Sequence, residues 1–159
     1  MRAEQILIRG SITQQTLRLM QGLMNVWSKH PFFVQLSREI ADLAGAKNPD
    51  SEGRAVWAWI RANVAYRADP VGTQWIQDPF ETASKSKAGN CANMAVLAGT
   101  MLMALGHPAT AIAVQWADRN SWTHAVVKDE KLNRIIDPVS PSYVWPPTGK
   151  RVSALMGAA

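Results

Sequence analysis

The chain holds one cysteine, Cys91, and three histidines, and one combination among these and the acidic residues could perform nucleophilic chemistry. Cys91 follows Gly89 and Asn90 and opens a long apolar run that reads as a buried helix. At the first residue of such a helix, unpaired backbone N–H groups and the helix dipole favour negative charge, so a thiol there is biased toward thiolate. Position alone gives equal weight to the bland alternative, a small buried hydrophobe. The histidine supplies the difference. Trp122 to Lys128 and Asn133 to Asp137 read as an antiparallel hairpin, and a loop centred between Glu130 and Lys131 sets His124 opposite Asp137. Directly opposed residues share a face with β-carbons about 4.5 to 5.5 Å apart, close enough for a carboxylate to hold an imidazole. A loop one residue longer or shorter would put the two on opposite faces. Cysteine, histidine and acid together suit acyl transfer. The thiolate attacks an acyl carbon, the imidazole holds the thiol proton and delivers it to the leaving group, and the carboxylate fixes the ring's tautomer and supports its positive charge. His124 could equally be a satisfied strand residue and Asp137 the start of a turn, but the coincidence of three such residues favours chemistry. His30, before a proline, and His107, in the Gly106 to Pro108 turn, are expected at the surface.

Other chemistries are excluded by what is scarce. A single cysteine forbids an internal disulfide, and with three histidines it argues against a thiolate-rich zinc site. No metal and no cofactor is expected. The net charge of +5 and pI near 9.7 favour acidic partners. The basic residues are scattered, however, and Lys85 with Lys87 and Lys150 with Arg151 read as solvated loop charges, so nucleic acid is not the expected partner. Seven tryptophans against three phenylalanines suggest a Trp-rich core or a Trp-lined cleft. The opening MRAEQILIRGSIT has no export leader, and Met94 to Leu105, closed by Gly106 and Pro108, is too short to span a bilayer. The expected location is therefore the cytoplasm, with no membrane partner.

The elements that must position these residues can be read from periodicity. The chain's 159 residues are enough for one domain with a continuous core. Ser11 with Gln14 forms a capping-box pattern ahead of a helix from about Ile12 to Ser28, and Val34 to Leu43 reads as a second helix. A third is capped by Asp50 or Ser51 and carries Val56, Trp59 and Ile60 on one face, making residues 11–64 helical. Ala65 to Ala68 reads as a short strand, followed by a long irregular passage from Asp69 to Asn90. Loops of that length inside a compact domain are usually functional. After the cysteine helix come strands Ala109 to Trp116, Trp122 to Lys128 and Asn133 to Asp137, and then an irregular, proline-bearing tail over residues 138–159.

Ala88-Gly89-Asn90-Cys91, Ala95-Val96-Leu97, Leu102 through Leu105-Gly106-His107-Pro108-Ala109, Thr123-His124-Ala125 and Ile135-Ile136-Asp137-Pro138 together resemble the transglutaminase-like superfamily of papain-like cysteine enzymes. Looser likeness extends upstream to Tyr66-Arg67-Ala68-Asp69-Pro70. The resemblance implies an α+β domain of papain-like topology, with N-terminal helices and a central Cys-bearing helix packed on a small antiparallel sheet. It implies Cys91, His124 and Asp137 as a catalytic triad acting on a protein or peptide substrate through a thioester. Hydrolysis, as by a peptidase or amidase, is the first expectation and protein cross-linking its sister outcome. An oxyanion hole would use the Cys91 N–H and a second donor from Tyr66, Gln74, Trp75 and Gln77, with Tyr66 favoured.

Family members commonly carry acidic residues on both sides of the cysteine, where this chain has Asn90 and Ala92, and often an aromatic where it has Val126. These departures favour the rival expectation, a non-catalytic assembly or binding module that keeps the fold. The chain is also similar to small stand-alone forms found in bacteriophage and prophage morphogenesis regions. That likeness implies phage structural proteins as partners and, for a phage-encoded chain, association with the virion.

Overall fold

The structure is a computed structural model that describes residues 5–9, 11–45 and 48–159. Helix α1 (Gln14–Trp27) is capped by Thr13 and not by Ser11: the Thr13 hydroxyl accepts from the Thr16 N–H and the Thr16 hydroxyl from the Thr13 N–H. Helix α2 (Pro31–Leu43) begins earlier than Val34, because a proline's missing N–H costs nothing in the first turn. His30 Nδ1 accepts from the Phe32 N–H at 3.1 Å, which makes this histidine a half-buried helix cap. Helix α3 (Pro49–Asn63) repeats the device with Asn48, whose side chain accepts from the Ser51 N–H at 2.9 Å. Asp50 and Glu52 then lie in its first turn, where the helix dipole favours them.

The passage between α3 and Cys91 is more regular than its punctuation suggests. Strand β2 (Ala65–Tyr66) pairs in parallel with β4 (Ala88–Gly89), and β3 (Thr73–Gln77) runs antiparallel to β1 (Gln5–Arg9) at the other end of the chain. A single π-helical turn, Glu81–Lys85, lies between β3 and β4. Neither pairing has a local signal, since each strand finds its partner far away in sequence.

Helix α4 (Cys91–Ala104) is buried along every face from Cys91 to Leu102. A helix apolar all round belongs at the centre of a core, and α1, α2 and α3 pack on it together with β5 (Ala109–Trp116) and β6 (His124–Asp129). Leu97, Met101 and Leu102 are fully buried there, each stabilising the fold by roughly 1.5–3 kcal/mol. The main sheet is antiparallel with order β7-β6-β5-β8, where β7 is Arg134–Ile136 and β8 is Val152–Gly157. The tail is therefore not irregular throughout: β8 pairs with β5. Ala111, Ala113, Ala125, Val127 and Ile136 belong to the main core with α4, whereas Ile112, Val114 and Val126 form a second cluster on the opposite face. Trp116, Ile135, Trp145 and Val152 pack against that second cluster, so the tail covers the outer side of the sheet.

His107 is a correction to expectation. It is fully buried, its Nδ1 donating to Asp129 Oδ2 at 2.7 Å and its Nε2 to Glu52 Oε1 at 2.8 Å. Burial pushes its pKa down, but the hydrogen bonds and charges of the two carboxylates outweigh this and raise it above the ordinary value. The pair of bonds ties α3 and β6 to the turn that follows α4.

Candidate active site

Cys91 is the first residue of α4, and Asn90 is the cap before it. The Asn90 side-chain oxygen accepts from the Asn93 N–H at 2.9 Å, while its amide donates to Asp69 Oδ2 at 2.7 Å and to the Trp75 carbonyl at 2.9 Å. The departure at Asn90 thus has a local explanation, because an uncharged amide can cap the helix and donate to its neighbours at once. Gly89 must be glycine for a related reason. A β-carbon there would lie 2.7 Å from Asn93 Cβ, in the first turn of α4. Gly89→Ala is expected to shift that turn, destabilising the protein by about 1–3 kcal/mol in urea denaturation. Because small displacements of reacting groups are costly, it should also slow iodoacetamide labelling of Cys91 roughly tenfold or more.

His124 begins β6 and Asp137 follows β7. Val127 faces Ile136 and Asp129 faces Arg134, which centres the turn between Lys131 and Leu132. The register is displaced by two residues from the predicted pairing, so His124 and Asp137 are not directly opposed. An even displacement preserves the face, and the two still meet: His124 Nε2 donates to Asp137 Oδ2 at 2.7 Å. Asp137 is held in turn by the Val139 N–H, which donates to its Oδ1 at 3.0 Å. The Cys91 thiol lies close enough to His124 to act on its titration. Burial lowers the histidine's pKa, but the bonds and charges of Asp137 and Cys91 prevail and raise it to about 10. The favoured state of the ring at neutral pH is therefore the imidazolium, held by the Asp137 carboxylate. Trp116 stacks on the ring, with centroids 5.4 Å apart and planes 27° apart.

Of the candidate oxyanion donors, Gln74 comes closest to the sulfur, its Nε2 lying 3.7 Å from Cys91 Sγ. Tyr66 lines the same cleft. Burial raises its pKa first, followed by the negative charges of Cys91, Asp69 and Asp137. Trp75 lies instead on a neighbouring cavity with Arg67, Asp69, Asn90 and Asn93, on the alternate side of β3 from Gln74. Gln77 is buried and spends its amide on Thr82 and the Ala88 carbonyl. The sequence contained no signal to prefer Gln74 over Tyr66, because the approach depends on where β1 holds β3.

The cleft over Cys91 has a volume of about 540 Å³ and is bordered by Tyr66, Asp69, Thr73, Gln74, Trp122 and Thr123 among others. Cys91 is buried, at 7% exposure, and lines the floor of this cleft. Among the described residues no cluster of ligating side chains could hold a metal ion, and no helix is long and apolar enough to cross a membrane.

A model of the transglutaminase-like superfamily matches residues 35–145. Among solved structures, the chain is similar to a candidate cysteine protease from Cytophaga hutchinsonii, with 22% identity and a TM-score of 0.51, over 96% of this chain and 54% of that one. It is also similar to a candidate protease from Parabacteroides distasonis, with 15% identity and a TM-score of 0.56, over 82% of this chain and 26% of that one. The chain thus spans about half and about a quarter of those two proteins. At these identities the likeness establishes the fold, α+β and papain-like, with the cysteine on a helix. No curated protein matches the chain.

Proposed function

Since the chain belongs to the transglutaminase-like superfamily, we propose that it is a cysteine-dependent hydrolase of amide or peptide bonds that works through a thioester on Cys91. The observation that carries this is His124, bonded to Asp137 at 2.7 Å with the Cys91 thiol close enough to act on its titration. The Cys91 thiolate attacks the carbonyl carbon and a C–S bond forms. The oxyanion meets the Cys91 N–H and the Gln74 amide, donors fixed in place before the charge develops. As the C–N bond breaks, His124 gives its proton to the leaving amine. The neutral imidazole then takes a proton from water, whose oxygen attacks the thioester, releasing the acid and the thiolate. Asp137 orients the ring and supports its charge throughout.

Transfer to an amine in place of water would give a cross-link by the same chemistry. Incubation with a glutamine-containing peptide and a labelled amine separates the outcomes. Cleavage that is independent of the amine and lost in Cys91→Ala is expected. Amine incorporation lost in the same variant would reassign the chain to cross-linking, and no Cys91-dependent product of either kind across a peptide library would overturn the enzyme reading.

A further inference from the structure

Asp69 gives the cleft a sign. Of the described residues bordering the cleft over Cys91, Asp69 alone carries a formal charge at neutral pH, in a chain whose net charge is +5. Its carboxylate is fixed. Oδ2 accepts from the Trp75 N–H at 2.6 Å and from the Asn90 amide at 2.7 Å, while Oδ1 accepts no hydrogen bond among the described residues. The loop that presents it is pinned as well. Pro70 to Thr73 form a tight turn in which the Pro70 carbonyl accepts from the Thr73 N–H at 3.0 Å and from its hydroxyl at 2.7 Å. Gly72 supplies the positive φ of 80° that such a turn needs. Arg67 borders the neighbouring cavity together with Asp69, but the two form no ion pair within 4.0 Å. Cys91 on α4 and Tyr66 on β2 border the same cleft as Asp69, and Asp137 acts electrostatically on both Tyr66 and His124. With the thiolate formed, that set holds three negative groups against one imidazolium.

We propose that Asp69 is a specificity-determining residue, selecting substrates that carry an ammonium or guanidinium group beside the acyl group attacked by Cys91. A preorganised carboxylate in a concave cleft concentrates cations from solution and pairs with them without reorganising. The α-ammonium of a peptide and a lysine or arginine side chain share this chemistry. The inference rests on Cys91 being the reactive thiol.

The test uses methanethiosulfonate reagents of one leaving group and three charges: ethylammonium, methyl and ethylsulfonate. The Cys91 thiolate attacks the sulfenyl sulfur, an S–S bond forms and methanesulfinate leaves, so the step is the same for all three, and each rate is divided by that of the same reagent with a free thiol to leave the contribution of the cleft. In the unmodified protein the ammonium reagent should react faster than the sulfonate, and Asp69→Asn should lower that ratio roughly tenfold. Raising ionic strength should erode the ratio in the unmodified protein alone, a measurement that stands even if the variant folds poorly. A ratio unmoved by both Asp69→Asn and salt, with fast His124-dependent labelling by the methyl reagent, overturns the cation inference and leaves the nucleophile intact. Slow labelling by all three reagents, unchanged in His124→Ala, overturns both. With the preference established, peptides with free or acetylated N-termini and with lysine or norleucine assign the cation to the α-ammonium or to the side chain.

Discussion

Replacing His124 with alanine is expected to lower the rate of Cys91-dependent acyl transfer by at least about 10³-fold. It should also slow alkylation of Cys91 near pH 6.5 by roughly 10- to 100-fold, the margin between a thiolate held by an imidazolium and the small thiolate fraction of an ordinary thiol. The reason is geometric. His124 bonds Asp137 at 2.7 Å and acts electrostatically on the cysteine, so its loss removes the cation near the sulfur and leaves Asp137 buried without its partner. The pH dependence has a definite sign. The histidine's pKa is raised, from an ordinary 6.5 to about 10, by the bonds and charges that outweigh its burial. The stability it contributes is fully present below about pH 6.5 and is lost as pH rises through about 10. The unmodified protein should therefore keep its advantage over His124→Ala in urea denaturation through neutral pH and lose it toward pH 10. Asp137→Asn should mimic the loss of acyl transfer, since an amide no longer stabilises the imidazolium. Equal alkylation rates in the unmodified protein and His124→Ala would remove the basis for treating Cys91 as activated.

His107→Ala is expected to have the largest effect on stability, about 3–5 kcal/mol, or roughly 6–20 °C in Tm for a chain of this size. The substitution leaves Asp129 and Glu52 facing each other with no cation between them, one of them in the fully buried interior. Because the pKa of His107 is raised above 6.5 by those carboxylates against the pull of burial, its contribution is complete below about pH 6.5. It decays as pH rises through the raised folded value. The gap between the two proteins, read by thermal unfolding at several pH values, should be widest in mild acid and narrow in alkali. A flat, small gap would mean that the carboxylates find other partners. The two histidines thus answer different measurements, His124 through the reactivity of the sulfur and His107 through melting.

Much of the fold was legible because its strongest signals are local. The apolar run after Cys91, ended by Gly106 and Pro108, marks α4 with its start correct and its end within one residue. Strand β5 matches the predicted Ala109 to Trp116. The helix starts are less legible, since Pro31 and Pro49 open helices whose sequence pattern begins only at Val34 and at Asp50 or Ser51. β1, β3 and β8 were missed for another reason. Each is short and is stabilised by a partner at least dozens of residues away, so nothing nearby in sequence marks it. His107 was misplaced because a turn position predicts exposure, whereas two carboxylates from α3 and β6 close over it.

What the sequence determined by itself was chemical identity and parity. It held one thiol, at the start of a helix, and a histidine and an acid on strands whose alternation puts them on a common face. Those properties depend on residue type and on the period of two along a strand, and they survived an error in the register. Only the tertiary structure decided distance and company: that His124 meets Asp137 near the sulfur, that Gln74 and not Trp75 turns toward Cys91, and that Asp69 stands at the cleft with one oxygen accepting no hydrogen bond among the described residues. These follow from pairings between distant segments, β1 with β3 above all. The energy of such pairings lies in contacts between the segments, so neither segment carries it alone.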